Sequence, residues 1–110
     1  MNKIVNAKLQ FYGQELDLKI MTEKHNGKLV VQAYSFDEDY DMWEPFATLS
    51  VNVLEDSDKQ TKYVAKTYSE NEGIHEQLKE QGALKYTGKY MNIGGFVGLA
   101  PVVVIDWEVA

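Results

Sequence analysis

The chain has 110 residues, 45% hydrophobic and 25% charged, values typical of a single globular domain that buries its own core. It lacks cysteine, which excludes disulfides, thiolate chemistry and cysteine-based zinc sites. Asp and Glu number 17 against 11 Lys and Arg, giving a net charge of −6; this argues against direct nucleic-acid binding and fits a basic partner or simple solubility equally.

Met1 to Gln10 alternates apolar and polar residues and has no signal-peptide run. The late apolar stretch Ala100 to Ile105 is too short to span a bilayer. The expectation is a cytoplasmic protein starting at Met1, with no membrane contact. Val5, Ala7, Leu9 and Phe11 alternate with polar residues, as do Leu16, Leu18 and Ile20, which reads as two strands with one wet face. Gly13 and then Asn26-Gly27 supply the hairpin turns. A third strand, Lys28 to Phe36, is apolar on both faces and should be central. After the acidic loop Asp37 to Pro45, a fourth strand is expected from Phe46 to Val53, with Ala47, Leu49, Val51 and Val53 on one face. Thr48, Ser50 and Asn52 form a polar row on the other.

Lys62 to Lys66 reads as a short strand. A helix is expected from about Glu70 to Gln81, with Ser69 and Glu72 in capping-box spacing, Ile74 and Leu78 on one face, and Gly82 as a left-handed C-cap. Leu84 to Tyr90 reads as a further strand, and Gly94 to Gly98 as a flexible loop. The last strand, Val102 to Val109, starts after Pro101, with Val103, Ile105, Trp107 and Val109 on one face. No linker or repeat divides the chain. The fold expected is a single α+β domain over 1–110: a mainly antiparallel twisted sheet of about five to seven strands with one helix packed on it.

The acidic-aromatic loop is the most unusual segment. Asp37, Asp39 and Asp41 have the spacing that opens a calcium-binding EF-hand loop, but Met42 stands where Gly is needed and Thr48 where the bidentate Glu is needed. The competing readings are a solvated loop with Trp43 in the core, and a partner-binding surface. In the second, Tyr40, Trp43 and Tyr34 are anchors while Asp37, Glu38, Asp39, Asp41 and Glu44 steer a basic partner. Glu72, Glu76 and Glu80 lie four apart along the expected helix. Such a face is ordinarily just solvated; together with the loop it could imitate the phosphates of a duplex and occupy the basic groove of a nucleic-acid enzyme. His25 and His75 belong to no metal-ligand or nucleophile spacing and are read as surface residues. Gly94, Gly95 and Gly98 lack the Lys-Ser or Lys-Thr of a phosphate loop. No catalytic residue, metal ligand or cofactor motif stands out.

Trp43-Glu44-Pro45-Phe46-Ala47-Thr48-Leu49-Ser50-Val51-Asn52 resembles the central signature of an uncharacterised domain family. Tyr86-Thr87-Gly88-Lys89-Tyr90, Gly95-Phe96 and Ala100-Pro101 are similar to its later steps, so the resemblance covers roughly Leu29 to the C-terminus. Members are encoded on phages, plasmids and integrative elements of Gram-positive bacteria. The resemblance implies a setting in which small acidic proteins block host machinery, as inhibitors of CRISPR effectors and restriction enzymes do. It carries over no catalytic residue. The leading expectation is therefore a non-enzymatic, anti-CRISPR-like inhibitor of a host defence nuclease. The alternatives are a small-ligand or calcium-binding domain, and an accessory protein that self-associates, as a homodimer, through the final strand or another exposed strand edge.

Overall fold

A computed structural model describes residues 3–108. It contains eight strands: β1 (Ile4–Phe11), β2 (Gln14–His25), β3 (Lys28–Asp37), β4 (Met42–Thr48), β5 (Ser50–Asp56), β6 (Gln60–Ala65), β7 (Lys85–Gly94) and β8 (Gly98–Asp106). One helix, α1 (Ile74–Glu80), follows a 3-10 turn at Ser69–Asn71. The strands form two four-stranded antiparallel sheets, ordered β1-β2-β3-β4 and β5-β6-β8-β7. The α+β composition agrees with the alternation in the sequence, but eight strands in two sheets replace the five to seven in a single sheet that were expected, because the expected fourth strand is two strands.

The hairpin turns form where the sequence placed them. Tyr12-Gly13 and Asn26-Gly27 both have positive φ at each central residue, the turn geometry whose twist matches paired strands. The expected fourth strand, by contrast, is two strands. It breaks at Leu49, which is fully buried. The Leu49 N–H donates to the Val31 carbonyl of β3, and its own carbonyl accepts from Lys66 N–H just after β6, both at 2.8 Å. One residue thus belongs to both sheets, and the chain turns a corner through it. The irregular pairing around Ser50 and Asn52 changes the alternation. As a result Leu49 and Val53 join the main core while Val51 packs with Val64, Ala100 and Val102 in a separate cluster. The expected polar row dissolves too. Ser50 is buried and accepts from Val31 N–H at 2.9 Å, Thr48 bonds the Gln32 side chain at 2.7 Å, and only Asn52 is exposed.

Both sheets contribute to one core, with Val5, Leu9, Leu18 and Ile20 from the first and Tyr63, Val103 and Ile105 from the second. Trp107 joins that core with Val103 and Ile105, as the final-strand pattern suggests, whereas Val109 lies outside the described residues. Strand β8 begins at Gly98, before Pro101, and lies inside its sheet. Pro101 is accommodated because pairing with β6 ends at Val102, leaving β7 as its neighbour there. At the far end Lys3 bonds Asp56, Asp56 accepts from the Thr61 hydroxyl, and Trp107 Nε1–H donates to Thr61 Oγ1 at 2.8 Å, tying the entry of β1 to the second sheet.

The helix is shorter than its expected span. Asn71 turns inward, buried, to donate to the Thr48 carbonyl at 2.7 Å, and Gly73 at φ 86° breaks the path before Ile74. Ser69, itself at φ 59°, makes no side-chain cap, so the capping box does not form. Gly82 does act as the C-cap: Gly82 N–H reaches Lys79 O and Ala83 N–H reaches Leu78 O at 2.9 Å.

The helix also covers a sheet edge. Lys8 and Gln10 of β1 direct their backbone groups away from β2. Their N–H groups donate to the side-chain oxygens of Gln81 and Gln77 at 2.7 and 2.8 Å. The two amide nitrogens donate back to the carbonyls of the same residues. Glutamines one helical turn apart therefore act as a neighbouring strand, protecting an edge that would otherwise recruit another chain. Changing Gln77→Ala together with Gln81→Ala should lower stability by roughly 1–3 kcal/mol in urea unfolding and introduce concentration-dependent association in sedimentation. An unaltered midpoint with a monodisperse variant would contradict this role.

Candidate functional site

The β3–β4 loop is built on Asp37. Its Oδ1 accepts from the backbone N–H of Asp39 at 2.9 Å and of Tyr40 at 3.4 Å, an Asx-type turn. Asp41 completes the turn at φ 52°. The first carboxylate of the EF-hand-like spacing thus holds its own backbone. Among the described residues no three His, Asp or Glu side chains converge so as to hold a metal ion.

The remaining loop groups point outward. Tyr40 is 76% exposed. Trp43 is half-buried on the outer face of the first sheet, edge-on to Phe36 at 5.3 Å, with Lys19 Nζ 4.3 Å from its ring centroid. It is neither in the core nor free: its neighbours fix one ring face. Tyr34 is tied down as well, its hydroxyl donating to the Glu23 carboxylate at 2.6 Å. That bond, with burial and the Glu23 charge, raises the phenol pKa.

Glu38 and Asp39 border a groove of about 500 Å³ whose opposite wall carries Glu15 and Asp17 of β2. No local pattern marks these last two as site residues. They lie on the polar face of an ordinary alternating strand, and only the β2–β3 register carries them to the loop. Lys8 partly offsets them, 3.2 Å from Glu15 and 3.5 Å from Asp17.

Glu72, Glu76 and Glu80 do not form a helical ladder, because Glu72 precedes the helix. Glu76 and Glu80 are both exposed on it. Glu72 and Glu76 border a different cleft, of about 490 Å³, between the start of α1 and the β7–β8 hairpin. The loop carboxylates therefore gather with Glu15 and Asp17, and two of the helix-region carboxylates gather with tyrosines of the other sheet.

His75 is not a surface residue. It is 1% exposed, facing inward beside Ile74 and Leu78. Its Nε2 is 2.9 Å from the Tyr63 hydroxyl, which is itself fully buried. Nδ1 is buried with no hydrogen-bond partner. Burial pushes the imidazole pKa down to about 4 and pushes the Tyr63 phenol far above its ordinary range. His25, by contrast, is exposed beside a turn, 3.0 Å from Glu23.

The hairpin after the cleft is the most apolar exposed segment. Phe96 at its tip is fully exposed, Tyr90 and Leu99 are more than half exposed, and Met91 is 40% exposed. The Thr87-Gly88-Lys89 step forms a bulge in β7, with Thr87 Oγ1 donating to Val102 O at 2.8 Å and Gly88 at φ 84°. No helix among the described residues is long and apolar enough to cross a membrane.

The pKa of His75 has a direct thermodynamic consequence. The unfolded chain carries an ordinary imidazole near pH 6.5, whereas the folded one protonates only near 4. Between those values the unfolded state binds the extra proton, so stability should fall as pH drops from about 6.5 towards 4, with a slope of up to ~1.4 kcal/mol per pH unit. Urea unfolding from pH 7 to 4.5 should show this slope, and H75Q should lose it. Equal slopes in both proteins would contradict the assignment.

No protein-family model matches the chain, and no curated protein or solved structure matches it.

Proposed function

We propose that the protein is a stoichiometric binding protein, not a catalyst, and that its acidic groove engages a basic surface on a protein partner. The observation that carries this reading is the groove lined together by Glu38, Asp39, Glu15 and Asp17; the exposed Tyr40 follows Asp39 in the chain, and the partly buried Trp43 packs on Phe36, which also lines the groove. Carboxylates concentrated on one concave surface raise the local concentration of a cationic partner and speed its encounter. An exposed tyrosine and a tryptophan fixed by its neighbours are suitable anchors within that field.

The likeness of the Trp43 to Asn52 block to a family of mobile elements suggests the partner class: a host defence nuclease, of CRISPR or restriction type, whose nucleic-acid groove is basic. Carboxylates in place of phosphates would compete for such a groove without being cleaved. Cytoplasmic action follows from that partner class. Glu72 and Glu76 belong to this reading as a second acidic region at the start of α1, with Glu80 exposed further along the helix, and Asp37 contributes by holding the loop.

A pull-down against a panel of such nucleases, repeated at low and high salt, tests the proposal. Binding should weaken steeply with salt, and Glu38→Lys with Asp39→Lys should cost about tenfold or more in affinity, mainly through slower association. Salt-independent binding, or binding unaffected by the charge reversal, would remove the electrostatic mechanism.

A second reading has its own observation. Strand β7 is the edge of its sheet, and the adjoining hairpin exposes Phe96, Leu99, Tyr90 and Met91. An apolar edge of this kind favours pairing with a second copy. Sedimentation should then show a dimer that Phe96→Ser and Leu99→Ser dissociate. A monomer at all concentrations would eliminate that arrangement.

A further inference from the structure

The cleft between α1 and the β7–β8 hairpin combines two features. Its walls include three tyrosines, Tyr68, Tyr86 and Tyr90, and two carboxylates, Glu72 and Glu76. His75 also lines it, and this is the residue whose buried Nδ1 has no partner. Among the described residues it is the one buried side-chain nitrogen or oxygen so placed. An unpaired polar atom of this kind is costly to bury, so its presence in the lining of a cleft points to a group that pairs with it there.

We infer that this cleft binds an organic cation, an ammonium or guanidinium group, supplied either as a Lys or Arg side chain of a partner or as a free amine. The charge on Glu72 and Glu76 fits a positive guest. Tyrosine ring faces attract such a guest through their quadrupole, more strongly when it is partly desolvated. Two tyrosines already display that preference within the chain, with Lys79 Nζ 5.0 Å from the Tyr86 centroid and Lys66 Nζ 5.8 Å from that of Tyr68. Neither lysine lines the cleft, and the Lys66 charge is matched by Glu70 at 2.7 Å. Burial, the Glu76 charge and Tyr90 together raise the Tyr86 pKa, which sets the Glu76 carboxylate beside that ring. In the tautomer that carries its proton on Nε2, donated to the Tyr63 oxygen, Nδ1 keeps a lone pair for the guest, and a bound cation selects that tautomer. The ring is uncharged at neutral pH, so it does not repel a cation. This site shares Glu72 and Glu76 with the proposed partner surface but does not depend on it, because a free cation would bind whether or not a nuclease partner exists.

The test is an NMR titration of the full chain with N-acetyl-arginine amide, N-acetyl-lysine amide and the neutral N-acetyl-glutamine amide. The two cations should perturb Glu76, Tyr86 and Tyr90 and shift the His75 ring nitrogens, while the neutral compound should not. Glu76→Gln and Tyr90→Ala alter exposed side chains, so the fold should persist; each should weaken binding about tenfold. A peptide with a single Arg among Gly and Ser residues separates the sources. Tighter binding than the capped amino acid assigns a partner's side chain, and equal binding assigns a free cation. Glu38→Lys with Asp39→Lys should leave the titration unchanged. The inference is overturned if the neutral amide acts like the cations, if no cation perturbs the cleft, if both cleft variants bind normally, or if the loop reversal abolishes binding.

Discussion

Leu49 holds the architecture together. Its N–H is bonded into the first sheet and its carbonyl into the second, and its side chain is fully buried between them. Around it the Ser50 hydroxyl accepts Val31 N–H, and the Asn71 amide donates to the Thr48 carbonyl. An interior polar bond contributes only about 1 kcal/mol net, but leaving its partner unsatisfied costs more, so such a corner has few alternatives. By drawing Asn71 inward it also sets where the 3-10 turn ends and where α1 begins. The helix start in turn fixes His75 against Tyr63 and positions Glu72 and Glu76 opposite the hairpin.

This constraint reassigns the most distinctive block of the sequence. From Phe46 to Ser50 the residues serve the fold: Phe46 packs edge-on to Phe11 at 5.2 Å, Ala47 lies against the core, Thr48 holds Gln32, and Leu49 and Ser50 form the corner. The front of the block, Trp43, Glu44 and Pro45, reaches the surface near the acidic loop. A contiguous motif thus contains two unlike functions, a corner and one side of a candidate binding surface. Substitutions in its second half would impair binding indirectly, through the fold.

What was legible in the sequence follows from range. The two-residue turns, the strand alternation on both sides of them and the Gly82 cap are local, and each forms as read. The corner was not legible, because Ala47, Leu49, Val51 and Val53 keep perfect alternation while the chain changes sheets. Only the irregular pairing at Ser50 and Asn52 puts Val51 on the opposite side. The helix looked longer because Glu70 to Gly73 are helix-compatible by spacing, whereas a tertiary bond from Asn71 and the left-handed Gly73 interrupt it. His75 sits amid charged neighbours, and nothing local reveals a buried tyrosine 12 positions earlier waiting for its ring. Glu15 and Asp17 reach the acidic loop through strand register alone. The site is thus less legible than the fold, since its members come from separate elements.

The two acidic regions serve different chemistry under this account. One is a carboxylate-lined groove suited to a basic surface; the other, of similar volume, is a tyrosine-lined cleft suited to a single cationic group. The cleft depends on the corner that separates the sheets, through Asn71 and the start of α1. Native-state hydrogen exchange tests that dependence most directly. The amides of Val31, Leu49 and Lys66 should exchange only through global unfolding, at the free energy measured with denaturant. Exchange of these three at the rate of loop residues such as Glu38 would contradict the account.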